Sequence, residues 1–186
     1  MEEREAKIMS EIAEGNISAF REIVELHQKP LINFISRFIG DKTTAEDIAQ
    51  EVFIKVFKAA KAYRPKSKFK TWLFKIASNL CLNQIRDNKN RPQIMDIFEL
   101  NESGFFAIAP DSYCPGKTFE NKELAEVIHD AVRNLPKKQR IALLLQKYNG
   151  FSYTEISHIM GCSVSAVESL IQRARQNLKK PLTSYL

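Results

Sequence analysis

The chain has 186 residues, 44% hydrophobic and 27% charged, with 28 Lys and Arg against 22 Asp and Glu. Its formal net charge is +6 and its pI is near 9.2. That composition suits one or two small soluble domains with a real core, and the basic excess favours a polyanionic partner. The longest aliphatic run, Ile141 to Leu145, is far too short to span a bilayer. The acidic, amphipathic start MEEREAKIMSEIAEG is unlike a secretion signal, so a cytoplasmic protein is expected. Cys81, Cys114 and Cys162 lie far apart, which argues against a zinc site or a disulfide framework and for reduced thiols. No Gly-rich phosphate loop, HExxH or nucleophile elbow occurs, and His27, His129 and His158 are scattered. No catalytic residue, metal or cofactor is expected.

Helical periodicity runs through the N-terminal half. Helices are predicted near 3–13, 17–28, 30–39, 44–61 and 69–89. The expected breaks fall at Gly15-Asn16, Lys29-Pro30, Gly40-Asp41 and Arg64-Pro65. The 44–61 helix opens with a possible capping box, Thr44 to Asp47. Ile48, Val52, Phe53, Val56 and Phe57 form its apolar face. Asp47, Gln50, Glu51, Ile54, Lys55 and Lys58 lie on or around the other, with Ile54 a candidate exposed anchor for a protein partner. Asp47 and Glu51 alone give too few oxygen ligands for a metal. Asp41, Glu46, Asp47 and Glu51 are the only carboxylates near enough in sequence for a nuclease reading, which therefore carries little weight.

From Lys55 to Arg91 there are eleven Lys and Arg against one acid, Asp87. The 69–89 helix is expected to bury Leu73, Ile76, Ala77 and Leu80. Trp72, Lys75, Asn79, Asn83, Arg86 and Asn90 fall on the opposite stripe. The preceding loop, Tyr63-Arg64-Pro65-Lys66-Ser67-Lys68-Phe69, is basic and bracketed by aromatics. Aromatic and amide groups beside cations can stack on unpaired bases and hold a flipped nucleotide. Trp72 and Phe69 as core caps is the plainer alternative.

Residues 92–118 lose the periodicity, hold three prolines and carry Asp96, Glu99, Glu102 and Asp111 against Lys117. This reads as a linker, with Phe98, Phe105 and Phe106 able to dock. Helices return near 119–134 and 136–148. The stretch from Ser152 to Lys180 then reads as two short helices joined at Gly161-Cys162-Ser163. Ser152 with Glu155 makes a capping box, Gly161 suits a left-handed helix end, and Ser163 or Ser165 can cap the second helix. Ile156, Ile159 and Met160 stripe the first helix. Val164, Val167, Ile171, Ala174 and Leu178 stripe the second. Ser165, Glu168, Ser169, Gln172, Arg173 and Gln176 form an exposed polar row, followed by Arg175, Lys179 and Lys180. A buried seam with such a row suits a helix-turn-helix entering a major groove. The expected architecture is all-α: two small helical domains, 1–91 and 119–186, on a 92–118 tether.

The order of these motifs resembles a known family. "AEDIAQEVFIKVFKAAKAYRPKSKFKTWLFKIASNLCLNQIRDNKNR" closely resembles region 2 of the extracytoplasmic-function (ECF) sigma factors, a branch of the sigma-70 family. "LPKKQRIALLLQKYNGFSYTEISHIMGCSVSAVESLIQRARQNLKK" resembles their region 4. The resemblance implies a subunit that recruits core RNA polymerase to promoters and helps to melt them, without covalent chemistry of its own. It implies polymerase docking through Asp47, Ile48, Gln50, Glu51, Ile54 and Lys55. It implies −10 recognition through Tyr63, Arg64, Lys68, Phe69, Trp72, Lys75, Asn79, Asn83 and Arg86. It implies −35 recognition through Ser165, Glu168, Ser169, Gln172, Arg173 and Arg175, and an anti-sigma factor as a further partner. Asn83 and Glu168 depart from many members, which have Asp and a cation there. The alternative is a stand-alone helix-turn-helix regulator, which leaves the basic aromatic stretch 63–91 without a purpose.

Overall fold

A computed structural model describes residues 2–65, 67–89 and 120–183. Within them lie eight α-helices and no strand. They are α1 (Glu2–Ala13), α2 (Ile17–Ile39), α3 (Lys42–Ala59), α4 (Phe69–Lys89), α5 (Glu120–Arg133), α6 (Lys137–Asn149), α7 (Tyr153–Met160) and α8 (Val164–Leu182). A 3-10 turn, Ala60–Ala62, extends α3 toward the loop before α4. The expected linker 92–118, with Phe98, Phe105, Phe106 and Cys114, lies outside the described residues, as do Lys66 and Asn90.

The helix ends follow their capping chemistry. Asn16 begins α2 by accepting from the Ser18 and Ala19 amides, and Gly40 ends it at a φ of 89°, a left-handed position where a Cβ is strained. Asp41, not Thr44, starts α3: its carboxylate accepts from the Thr44 amide at 2.6 Å. Those hydrogen bonds from Thr44 hold the Asp41 carboxyl below the ordinary carboxylate range. The predicted break at Pro30 does not occur, and α2 runs through it. The carbonyl that Pro30 leaves without its helical donor is that of Leu26, an exposed residue, so water can serve it. On the other face His27, Leu31, Phe34, Ile35 and Phe38 bury continuously, and that packing outweighs the lost bond.

Helices α1 to α4 pack around Ile23, Leu31, Phe34, Phe38, Val52, Leu73 and Phe74, all essentially inaccessible. One polar pair is buried among them. His27 Nε2 lies 2.9 Å from Glu5 Oε1, tying α1 to α2, and its ring packs 5.1 Å from Phe69. Burial lowers the His27 pKa more than the Glu5 carboxylate raises it, so the ring is neutral and donates to Glu5. Helices α6 to α8 form the second assembly around Ile141, Leu144, Leu145, Ile156, Val167 and Ile171. Helix α6 also packs on α2, and α7 on α4, so the two halves share one apolar cluster.

Two positions differ from the expected seams for the same reason. Phe57 is 41% exposed, its ring edge-on to Phe20, and Val164 is 43% exposed. Each sits at the edge of its apolar stripe, where neighbouring elements cover it only in part. Ile76, Leu80, Met160 and Leu178 are partly buried, as edge members of their stripes.

Candidate nucleic-acid interface

The helix-turn-helix forms as its residues dictate. Ser152 Oγ accepts from the Glu155 amide at 3.2 Å, and Glu155 Oε2 accepts from the Ser152 amide at 2.9 Å. This reciprocal box holds the Glu155 carboxyl below the ordinary range, assisted by Lys68. Gly161 ends α7 at a φ of 63°, and Ser163 caps α8 by accepting from the Ala166 amide. Ser163 alone is the cap, and Ser165 Oγ lies 3.1 Å from its hydroxyl. Val167, Ile171 and Ala174 bury the seam of α8. Ser165, Glu168, Ser169, Gln172, Arg173 and Gln176 all face solvent. Arg175 is exposed but leans back, its guanidinium 3.4 Å from Gln146 Oε1 on α6. One helix therefore presents a row of donors and acceptors able to reach base edges.

The second surface is the loop before α4 and the start of that helix. Tyr63, Trp72 and Phe69 form an aromatic cluster, with Tyr63–Trp72 centroids 4.9 Å apart and Phe69–Trp72 centroids 5.7 Å apart. Phe69 is only 2% exposed and belongs to the core, so it supports the cluster rather than meeting a base. Trp72 and Tyr63 are half-buried. They line a cavity of about 500 Å³ together with Arg64, Ser67, Thr71 and Lys75. Lys75, Asn79, Asn83 and Arg86 continue along the exposed side of α4, and Lys68 is exposed beside it. Thr71, whose hydroxyl finds no protein partner, is a cavity residue that periodicity did not reveal. His158 of α7 also reaches this cavity, which no local reading of the sequence reveals.

The third surface is α3. Asp47, Gln50, Glu51, Ile54 and Lys55 are exposed, with Ile54 at 50%. Ile48, grouped with them by sequence, is 6% exposed and sits in the core beneath. Glu51 pairs with Lys55 at 3.4 Å, an i,i+4 surface pair. No group of three or more His, Cys, Asp or Glu able to hold a metal occurs among the described residues, and no described helix is long and apolar enough to cross a membrane.

Comparison with known proteins assigns this combination. Residues 23–91 match the family model for sigma-70 region 2, and residues 125–178 match that for sigma-70 region 4. The sigma-H factor of RNA polymerase from Pseudomonas aeruginosa is 32% identical over all of this chain and 97% of its own length. The ECF sigma factor SigW of Bacillus subtilis is 31% identical, over 95% of each chain. A sigma factor from Bartonella quintana, RpoE, solved with the anti-sigma factor NepR, is 26% identical with a TM-score of 0.66, over 88% of this chain and 96% of its own. CnrH, solved with the cytosolic domain of CnrY, shares the fold at a TM-score of 0.69, covering 97% of this chain and 98% of its own.

The chain belongs to the ECF branch of the sigma-70 family, whose members direct core RNA polymerase to promoters and are not enzymes. End-to-end similarity across both regions disfavours a stand-alone helix-turn-helix regulator.

Proposed function

We propose how this sigma factor divides promoter recognition among its residues. Residues 1–91 form the region 2 domain, 92–118 the linker and 119–186 the region 4 domain. Asp47, Gln50, Glu51, Ile54 and Lys55 dock on core polymerase, with buried Ile48 setting the pitch of that face. Tyr63, Arg64, Trp72 and Lys75 capture an unpaired base of the −10 element, and Lys68, Asn79, Asn83 and Arg86 track the adjoining strand. Ser165, Glu168, Ser169, Gln172 and Arg173 read the −35 element, with Arg175 on the flanking backbone.

The observation that carries this reading is the half-buried Tyr63–Trp72 pair lining a cavity beside Arg64 and Lys75. A stacked base there would have an aromatic platform and cations for its phosphates. Transition to the open promoter uses binding energy only, so the chain carries no catalytic group and no cofactor. It acts in the cytoplasm, where polymerase and promoters are. An anti-sigma factor is its expected restraint, as the complex of the Bartonella sigma factor with NepR suggests by likeness.

Run-off transcription with core polymerase over a genomic fragment library tests the reading. Specific starts that vanish when Trp72→Ala and Asn79→Ala are combined support it. Undiminished starts from that variant would refute the −10 assignment.

A further inference from the structure

Helix α1 lies ahead of residues 23–91, the part matched to region 2, and contributes no residue to the docking, −10 or −35 surfaces. It packs on α2, on the Ala60–Ala62 turn and on α4, so it backs both ends of the loop that carries Tyr63. Ile8, Met9 and Ile12 supply its apolar contact. Glu5 differs from them. Its carboxyl is buried at 7% exposure, and its hydrogen-bond partner at 2.9 Å is His27, 8% exposed. A buried polar pair adds little stability over apolar side chains of similar size, because desolvation offsets the bond. What it adds is direction: the neutral imidazole donates from Nε2 to Glu5, and that bond sets the plane of the ring.

The oriented ring begins a chain of aromatic contacts. The His27 and Phe69 centroids are 5.1 Å apart, and Phe69 in turn meets Tyr63 at 6.2 Å and Trp72 at 5.7 Å. Phe69 is 2% exposed and opens α4, so it is a fixed floor beneath two half-buried rings. Glu5 reaches the same rings by a second route. Burial, and after it the Glu5 carboxylate, raises the Tyr63 phenol above its ordinary range. The other charge that bears on His27 is Lys70 of α4, whose Nζ donates to the Asn149 carbonyl at 2.9 Å.

We propose that Glu5 and His27 are positioning residues for base capture: their hydrogen bond fixes Phe69, and through it the Tyr63–Trp72 pair, in the arrangement that accepts an unpaired base. The proposal deepens the assignment of Tyr63 and Trp72 to the −10 element and rests on it. Neither Glu5 nor His27 touches the nucleotide. Stacking requires rings held at a set spacing and tilt. A floor that sets them before DNA arrives spares the complex the entropy of ordering them.

Trp72 is the chain's only tryptophan, so its emission reports the platform directly. The test uses the full chain, free and with core polymerase. Glu5→Leu with His27→Phe removes the bond without leaving a buried polar group unpaired, so its melting temperature should stay within about 3 °C of wild type. Glu5→Gln keeps an acceptor for His27. In the free chain, Trp72 emission should shift to the red and quench more readily with acrylamide in the double variant, and stay as wild type in Glu5→Gln. With core polymerase, permanganate reactivity of a promoter found by run-off should fall about tenfold in the double variant, a partial loss of stacking, at unchanged affinity for core. If the double variant loses helical content, His27→Gln, which keeps a donor for Glu5 but takes the ring off Phe69, is measured in its place with the same expectation. Wild-type emission or wild-type opening in the variant would overturn the proposal. So would a fall in melting temperature and core affinity in step with opening, which would make the pair structural. Glu5→Gln as impaired as the double variant would overturn the role of the hydrogen bond. Trp72→Ala separates the two readings: if it opens promoters like wild type, the −10 assignment fails and the link to opening with it, while the emission still decides whether the pair orients the ring.

Discussion

Trp72 shows how one side chain can serve both a core and a ligand. Its ring packs on Tyr63 and Phe69 and also lines the cavity. Trp72→Ala should therefore cost roughly 2 kcal/mol of stability, about half the effect of truncating a fully buried Trp. It should also impair promoter opening, because base stacking is worth about 1–3 kcal/mol. Asn79 is exposed on α4, so Asn79→Ala should impair opening with little change in melting temperature. Permanganate reactivity of the melted strand, read beside thermal unfolding of each variant, checks the pair. Wild-type permanganate reactivity in both variants would leave Trp72 a purely structural residue. His27 makes a second residue-level prediction. Its pKa is lowered in the folded chain, so the unfolded chain binds the extra proton more readily. The stability it contributes is complete above its unfolded value of about 6.5 and falls as pH drops below that. Asp41 and Glu155, also lowered, lose theirs only in the more acidic carboxylate range. Urea midpoints that fall between pH 7.5 and 5.5 for the wild type but stay flat for His27→Gln would identify the imidazole as the source.

Among the elements, α3 and α8 illustrate the same logic of one buried and one exposed stripe. On α3 the exposed acids are Glu46, Asp47 and Glu51; Glu46 pairs with Lys42 and Glu51 with Lys55. Asp47→Arg with Glu51→Arg should change stability by well under 1 kcal/mol, since exposed pairs are worth little. Affinity for core polymerase should fall about tenfold or more, the equivalent of 1.4 kcal/mol. A competition assay against wild type measures it, and equal affinity of a folded variant would remove α3 from the docking surface. On α8, Gln172 and Arg173 lie in the exposed row, while Lys179 lies in the last turn. Gln172→Ala and Arg173→Ala should alter −35 base preference, each base-edge contact being worth about 1–3 kcal/mol. Lys179→Ala should lower affinity evenly across sequences and reduce its salt dependence. Selection of −35 variants against each protein distinguishes these effects, and base preference shifting only with Lys179→Ala would mean the register of α8 is misread.

These elements were largely legible because their signals are local. The Ser152–Glu155 box, the Gly161 turn and the α8 seam each depend on residues a few positions apart. Pro30 was misleading because its effect depends on what α2 buries on the opposite face. The start of α3 was misplaced because Asp41 and Thr44 both offer a capping oxygen, and only the path of the chain out of Gly40 decides between them. Phe74 and Cys81 were missed as core for a related reason. A single-sided apolar stripe was expected on α4, yet the helix is covered on a second side by α7. Burial drives the Cys81 thiol pKa up to about 12, consistent with an inert packing group. Partners this far apart in sequence leave no periodic trace.

At the scale of the whole molecule, the two halves share a hydrophobic cluster yet meet through cations stacked on rings. Each such pair contributes about 0.5–2 kcal/mol, depending on its desolvation. Three of them, with the Phe74–Phe151 contact, rival a sizeable part of the 5–15 kcal/mol that typically holds a domain folded. Against them stand Arg140 Nε and Asn149 Oδ1, each costing about 1–3 kcal/mol while buried without a partner. These gains and costs are of similar size, so the shared apolar cluster and a few contacts, the Arg37–Tyr148 pair among them, control how firmly the halves hold together. The free chain should therefore unfold in one calorimetric transition, because losing either half removes the surface that supports the other. Arg37→Glu with Tyr148→Ala should split that transition in two, with region 2 and region 4 melting separately. The Lys68–Glu155 pair is partly exposed and should matter less, so raising the salt should leave the single transition intact. Two transitions in the wild-type chain at low salt would show that the halves are energetically independent and that their contact contributes little to stability.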